Sequence, residues 1–327
     1  MTTRVLVTGG AGFIGSHTCK LLAASGIEPV VFDNLSTGHQ DAVRWGELVE
    51  GDILDRTALE LAFVRYEPAA VIHFAGSAYV GESVELPCLY YHNNVVGTLS
   101  LLDAALGAGR LPVIFSSSCA TYGIPQRLPI LETSVQAPIN PYGRTKLVAE
   151  QILADYAAAY GMRFAALRYF NASGADPEGE LVERHDPETH LIPRALMAAA
   201  GMLPQLCVYG DDYPTPDGTC IRDYVHVSDL ARAHLLALRH LLEGGDSLAV
   251  NLGTGRGSSI REVLAAIRRI TGRAVPTVFE PRRAGDPPML YADSSLARER
   301  LGFVPALSDL DTIIRTAAPS FQLDVRS

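Results

Sequence analysis

The stretch Arg4-Val5-Leu6-Val7-Thr8-Gly9-Gly10-Ala11-Gly12-Phe13-Ile14-Gly15-Ser16 decides the fold. It opens as a short apolar strand, and a helical pattern follows through Leu22. Between them lies a GxxGxxG loop. Its glycines allow a tight turn and bring the backbone close to a diphosphate, and the amino terminus of the next helix attracts that charge. Set between the first strand and the first helix, such a loop predicts a dinucleotide site.

The pattern repeats outward from this loop. The strand Pro29-Val30-Val31-Phe32 ends in Asp33. An acid there accepts hydrogen bonds from an adenosine ribose and repels a 2′-phosphate, so NAD is expected rather than NADP. Asn34-Leu35-Ser36 follows, with no Arg directly after Asp33. The next strand ends in Gly51-Asp52-Ile53, where Asp52 can reach the adenine amino group or cap a helix. Ala70-Val71-Ile72-His73-Phe74 runs into Ala75-Gly76, whose small size lets a cofactor lie against the sheet edge. His73 in this apolar strand reads as a satisfied core histidine. A long helix is expected from about Tyr90 to Ala108, and of its Asn93 and Asn94 one should point into a site.

The strand Val113-Ile114-Phe115 ends in Ser116-Ser117-Ser118, at the carboxyl end where ligands bind in parallel sheets. Tyr142-Gly143-Arg144-Thr145-Lys146 opens the following helix. A spacing of four puts Tyr142 and Lys146 on one helix face, and a cation beside a phenol favours the phenolate. The chain has only two lysines, Lys20 and Lys146. Where bulk positive charge is wanted it uses Arg, so the compact ammonium at 146 is a specific choice. A further helix to about Tyr160 and the strand Phe164-Ala165-Ala166-Leu167-Arg168 complete an alternating rhythm. The expected fold class is α/β, a doubly wound parallel-sheet Rossmann domain with a smaller mixed α/β substrate domain.

The rhythm breaks at Asn171, and residues 171–190 read as loops covering a site. His185 and His190 invite a metal reading, but the intervening Asp-Pro-Glu-Thr is not a metal-ligand frame, so no metal is expected. Arg222 and the Arg282-Arg283 pair suit a diphosphate, which guanidinium groups hold with forked hydrogen bonds. The expected division is 1–170 for the NAD-binding domain, rejoined by about 225–255. The substrate domain then takes 171–224 and 256–327.

The 327 residues carry 48% hydrophobic and 19% charged residues and a net charge of −9, which fits a soluble globular enzyme. An acidic chain without like-charge blocks argues against nucleic acid or an anionic membrane as partner. No run is long enough to span a bilayer, and no signal peptide precedes the first strand. Five cysteines without a CxxC pair suit reduced thiols in the cytoplasm.

Taken together, the TGGAGFIG loop, Asp33, HFAG, the serine run, YGRTK and RYFN resemble the extended short-chain dehydrogenase/reductases over essentially the full length. GTCIRDYVHVSDL and RRAGD narrow the resemblance to nucleotide-sugar epimerases, and the chain is most similar to the UDP-sugar 4-epimerases. The resemblance implies that Tyr142 removes the proton from the sugar 4-hydroxyl. Lys146 then holds the nicotinamide ribose and depresses the Tyr142 pKa, Ser118 shares a hydrogen bond with the reacting oxygen, and Ser116 lies beside the nicotinamide. It implies NAD contacts from Gly9, Gly12, Phe13, Ile14, Gly15, Asp33, Asn34, Asp52 and Ile53. Phe74, Ala75, Gly76, Asn93 and Tyr169 complete that side. The UDP-sugar side comprises Asn171, His190, Leu191, Tyr209, Arg222, Tyr224, Arg283, Asp286 and Leu290.

The implied reaction interconverts UDP-glucose and UDP-galactose through a 4-keto sugar, without net redox change, in a homodimer built on the helices around 90–108 and 141–160. Two features modify the expectation. Ser77-Ala78 stands where the usual galactose epimerase has a Lys after HFAG, which predicts weaker NAD retention. Leu290 stands where a Tyr excludes N-acetyl sugars, so weak action on those sugars is a further expectation. A rival reading comes from Ala78-Tyr79-Val80-Gly81-Glu82-Ser83, Cys119-Ala120-Thr121-Tyr122-Gly123 and Arg282-Arg283-Ala284-Gly285-Asp286, which also resemble UDP-arabinose (UDP-xylose) 4-epimerases acting on sugars that lack C6. Cys119-Ala120 replaces the Asp-Glu pair of the related dehydratases, which removes the acid-base pair that elimination needs. A cofactor-binding protein without catalysis is the remaining alternative, and the intact Ser/Tyr/Lys set argues against it.

Overall fold

The computed structural model describes residues 3–283 and 286–326. Seven parallel strands form its central sheet: β1 (Arg4–Thr8), β2 (Glu28–Asp33), β3 (Glu47–Glu50), β4 (Ala70–His73), β5 (Val113–Ser118), β6 (Phe164–Tyr169) and β7 (Leu248–Leu252). Their spatial order is β7-β6-β5-β4-β1-β2-β3. The chain builds from β1 to one edge and then returns to β4 on the other side. That reversal opens a crevice beyond the carboxyl ends of β1 and β4.

The strands are continuous apolar runs because both faces of the sheet are covered. Val5 and Val7 pack with Cys19 and Leu22 of the helix Phe13–Ala24 and with Leu230 and Leu238 of the helix Val227–Leu242. Leu6 and Val71 face the other way, toward Leu59, Leu101 and Leu153 on the helices Arg56–Tyr66, Gly97–Gly107 and Pro141–Tyr160. The chain therefore returns to the sheet after Val225, as its apolar pattern suggests, and β7 pairs in register with β6.

A third core cluster forms around Ile192, Leu196, Val208, Ile267 and Ile314. Here the strands Leu206–Tyr209 and Thr277–Glu280 pair in parallel. Ile221–Arg222 takes Ser258–Ser259 on one side and Met289–Leu290 on the other. Ser259 and Glu262 cap the helix Ile260–Thr271 reciprocally.

The single helix expected over 90–108 is instead three segments: Pro87–Tyr90, a π-helical turn over Tyr91–Val96, and Gly97–Gly107. A π turn carries one more residue than the α-helix would and so re-aims the side chains on it. Asn94 is buried there. Among the described residues, no helix is long and apolar enough to cross a membrane.

Candidate active site

The glycine loop crosses the carboxyl end of β1 in close backbone contact. Gly9 has φ +72°, and a Cβ on it would stand 2.5 Å from the amide nitrogen of Ala75. A Cβ on Gly15 would stand 2.2 Å from the carbonyl oxygen of Gly9. No side chain caps the helix that starts at Phe13, so its first amides are available to an anion. Asp33 accepts from the Ala11 amide at 2.9 Å and from the Leu35 amide at 2.9 Å. Each of its carboxylate oxygens keeps a lone pair for a ribose hydroxyl. Burial raises the Asp33 pKa, and those two amides oppose the shift.

Asp52 accepts from Asn34 at 2.9 Å and from the Leu54 amide at 2.8 Å, while the helix beyond is capped by Asp55. Asp52 is thus no helix cap and stays at the crevice rim with Asn34. A glycine cradle, an uncapped helix start and an acid ending β2 fit a dinucleotide with free ribose hydroxyls. Phe13, Ile14, Gly12, Ile53, Phe74, Ala75 and Gly76 stand around the same end of the sheet.

The three serines of β5 alternate. Ser116 Oγ hydrogen-bonds Tyr169 OH, and Ser118 Oγ accepts from the Ala120 amide at 3.1 Å. Ser117 points to the opposite face, where its hydroxyl donates to Glu150. The period-2 pleat therefore assigns Ser116 and Ser118 to the crevice and Ser117 to the core.

Tyr142 and Lys146 sit one turn apart on Pro141–Tyr160. That helix starts where the Asn140 side chain accepts from the Gly143 amide at 2.8 Å, with Pro141 in the first turn. Lys146 Nζ donates to the Ser116 carbonyl at 2.9 Å and lies 5.9 Å from the centre of the Tyr142 ring. Burial pushes the Lys146 ammonium down to about 8, with Glu150 opposing. Burial likewise pushes the Tyr142 phenol up to about 12, and the Ser118 hydroxyl opposes that shift. This departs from the sequence expectation of a depressed phenol. Desolvation of the buried phenol is the largest cause.

Most residues expected on the nucleotide-sugar side lie outside the central sheet. Arg222 pairs with Asp286, and Arg283 stacks on the Tyr209 ring at 3.8 Å. Arg282 does not join them. It turns to Asp212, 2.6 Å away, and is 42% exposed, so the expected trio of arginines is a pair. Ala284 and Gly285 of the RRAGD motif lie outside the described residues. Leu290 packs against the cluster of Tyr122, Ile130, Phe170 and Ala292, as does Cys119, the residue after Ser118. Asn171 donates to the Asp223 carbonyl at 3.1 Å. Tyr224, expected at the substrate, is buried in the third core cluster with Ile192 and Leu196, on a strand paired in parallel with Asn171–Ser173.

His190 precedes that helix and meets a cluster. Glu183, His185, Glu188 and His190 bring one donor atom each within 4.8 Å of one another. The four residues between the histidines carry only part of this donor set. The structure adds Glu183 and turns Glu188 inward.

Three further groups support the site. Asn93 donates to Ser77 Oγ at 3.1 Å, and the buried Asn94 reaches further inward. It accepts from the Ser77 amide at 2.8 Å and donates to the Ser77 carbonyl at 3.0 Å and to Thr145 at 3.1 Å, tying the loop after β4 to the helix of Tyr142. Glu150 and Arg168 form a buried pair at 2.6 Å behind Ser117. Asp223, between Arg222 and Tyr224, accepts from Thr254 Oγ1 at 2.6 Å and from the Ala292 amide at 3.1 Å, and burial pushes its carboxyl up to about 6. His73 is a satisfied core residue, with Thr8 at 2.7 Å and Thr98 at 3.0 Å on its two nitrogens.

Residues 5–253 match the model of the NAD dependent epimerase/dehydratase family. A UDP-glucose 4-epimerase of Rhizobium leguminosarum bv. trifolii is 55% identical over 313 residues, 96% of this chain and 95% of that protein. The crystal structure of UDP-glucose 4-epimerase from Brucella ovis in complex with NAD superposes with a TM-score of 0.98 at 70% identity, covering 99% of this chain and 100% of that one. A UDP-glucose-4-epimerase from Stenotrophomonas maltophila, with bound NAD and formylated UDP-arabinopyranose, superposes with a TM-score of 0.95 at 41% identity, covering 98% of each chain.

Proposed function

The chain belongs to the NAD dependent epimerase/dehydratase family, and we propose that it uses Tyr142 as the acid-base residue in interconverting UDP-glucose and UDP-galactose. The reaction is an NAD-dependent isomerisation at sugar C4. The observation that carries the residue roles is the convergence of Tyr142, Ser118 and Lys146 at the end of β5, beside the glycine loop.

Bound NAD supplies a hydride acceptor and then donor to C4, so the sugar passes through a 4-keto state and leaves with C4 inverted. Tyr142 takes the 4-hydroxyl proton and later returns it, and Ser118 holds the same oxygen. Lys146 anchors the nicotinamide ribose from its seat on Ser116. Between the two transfers the sugar must turn while its nucleotide stays in place. Arg222 and Arg283 hold the diphosphate, Tyr209 and the Leu191 end of its helix hold the nucleoside, and Leu290 bounds the sugar pocket.

A rate assay with UDP-galactose, UDP-N-acetylgalactosamine and UDP-xylose side by side tests this reading. UDP-galactose should turn over fastest. Preference for UDP-xylose would transfer the same chemistry to pentoses. That second reading is favoured by the relative holding a formylated UDP-arabinopyranose and by the apolar Leu290.

The division into 1–170 with 225–255, and 171–224 with 256–327, is part of the proposal. So is a homodimer. Val84, Leu86, Leu89 and Val96 are 63%, 52%, 46% and 44% exposed, on segments that pack beside Pro141–Tyr160. Large exposed apolar groups so grouped suit a subunit interface. Light scattering at the monomer mass would remove that part. Free thiols at all five cysteines support a cytoplasmic location.

A further inference from the structure

We propose that Glu183, His185, Glu188 and His190 bind one divalent cation of the zinc class. The four stand in a Glu-x-His-x-x-Glu-x-His frame within a segment that no helix or strand constrains. His190 Nδ1 lies 3.0 Å from Glu183 Oε1 and 3.0 Å from Glu188 Oε1. His185 Nδ1 lies 3.2 Å from Glu183 Oε1 and 3.4 Å from Glu188 Oε2. Four ligands about 2.1 Å from a tetrahedral zinc stand about 3.4 Å apart, and each imidazole nitrogen already lies at close to that spacing from an oxygen of each carboxylate, with one donor atom from each of the four residues within 4.8 Å of the others.

Three observations favour a cation over a plain ion-pair cluster. Both imidazoles present the same nitrogen to the same two carboxylates. His185 Nδ1 is buried and meets no hydrogen-bond partner of good geometry. Glu183 and Glu188 are 7% and 10% exposed, with no Lys or Arg paired to either among the described residues. Two imidazole nitrogens with two carboxylates are a donor set for zinc, not for magnesium or calcium. The His190 amide donates to Glu188 Oε1 at 2.7 Å and so orients that carboxylate. Binding would release the protons that otherwise lie between the imidazoles and the carboxylates.

The place gives the cation a consequence. The His185 ring meets Phe13, which opens the helix after the glycine loop, edge-on at 6.3 Å, and Tyr79 at 6.1 Å. His190 opens the helix that begins at Leu191. A cation here would lock the 183–190 segment between the dinucleotide side and the nucleotide-sugar side, and would slow NAD release.

The test uses the full chain with its NAD. Protein is incubated with zinc, or with magnesium as control, then desalted, and its metal content is read by mass spectrometry. The expected result is about one zinc and no magnesium per chain, with a rise in Tm that a chelator reverses. His185→Ala and the isosteric Glu188→Gln should each retain at least about tenfold less zinc, the second serving if the first does not fold. A wild-type chain retaining less than about a tenth of an equivalent would overturn the site, as would variants that retain as much as wild type.

Discussion

Lys146 Nζ donates to the carbonyl oxygen of Ser116 at 2.9 Å, so the helix of Tyr142 is fastened to the end of the strand that carries the serines. A compact ammonium can make this buried contact and still present donors to a ribose. The planar guanidinium of Arg is too wide to do both.

Tyr142→Phe removes the proton acceptor and leaves the ring. Turnover of UDP-galactose should fall by about 10²–10⁴ while NAD stays bound, because only the proton transfer is lost. Steady-state kinetics with a bound-cofactor measurement checks this, and near wild-type turnover would refute the assignment.

Leu290→Tyr should narrow the sugar pocket. Activity on UDP-N-acetylgalactosamine should fall at least tenfold relative to UDP-galactose, since a pocket rejects by overlap what it cannot fit. An unchanged ratio would place the gate elsewhere.

Ala78→Lys restores a cation beside the nicotinamide end, at an exposed position with room for it. The variant should keep a larger fraction of its NAD through gel filtration, measured on the released nucleotide. Equal retention would show that Ser77-Ala78 does not weaken the cofactor site.

Glu150→Ala should destabilise the protein by about 3–5 kcal/mol in denaturant unfolding, because it strands the buried Arg168 guanidinium. The same change frees Ser117 on the core side of β5 and leaves Tyr142 itself untouched.

Acid should destabilise the fold through His17, His73 and His234. Burial pushes them down to about 4, 3 and 4 respectively. Their folded pKa values lie below the ordinary 6.5, so below pH 6.5 the unfolded chain binds more protons and stability falls. Each contributes a slope of up to about 1.4 kcal/mol per pH unit, which ends as the pH passes its folded value. His73→Gln should flatten the fall of Tm between pH 6.5 and 4.5. An unchanged slope would exclude His73 as a source.

The strand-loop-helix at residues 4–24, Asp33 at the end of β2, the serine run and the Tyr142–Lys146 spacing were all legible in the sequence. Each depends on neighbours within a few positions: a glycine where a Cβ would collide, two side chains one helical turn apart, an acid at a strand end. Other features were decided only when distant segments met. Arg282 was drawn off to Asp212, Tyr224 was folded into the core, and Arg168 reached Glu150 and Tyr122 across the sheet. The 183–190 segment was illegible for a different reason. A loop has no period, so spacing does not tell which way its side chains point, and only the folded backbone turns two carboxylates onto two imidazoles.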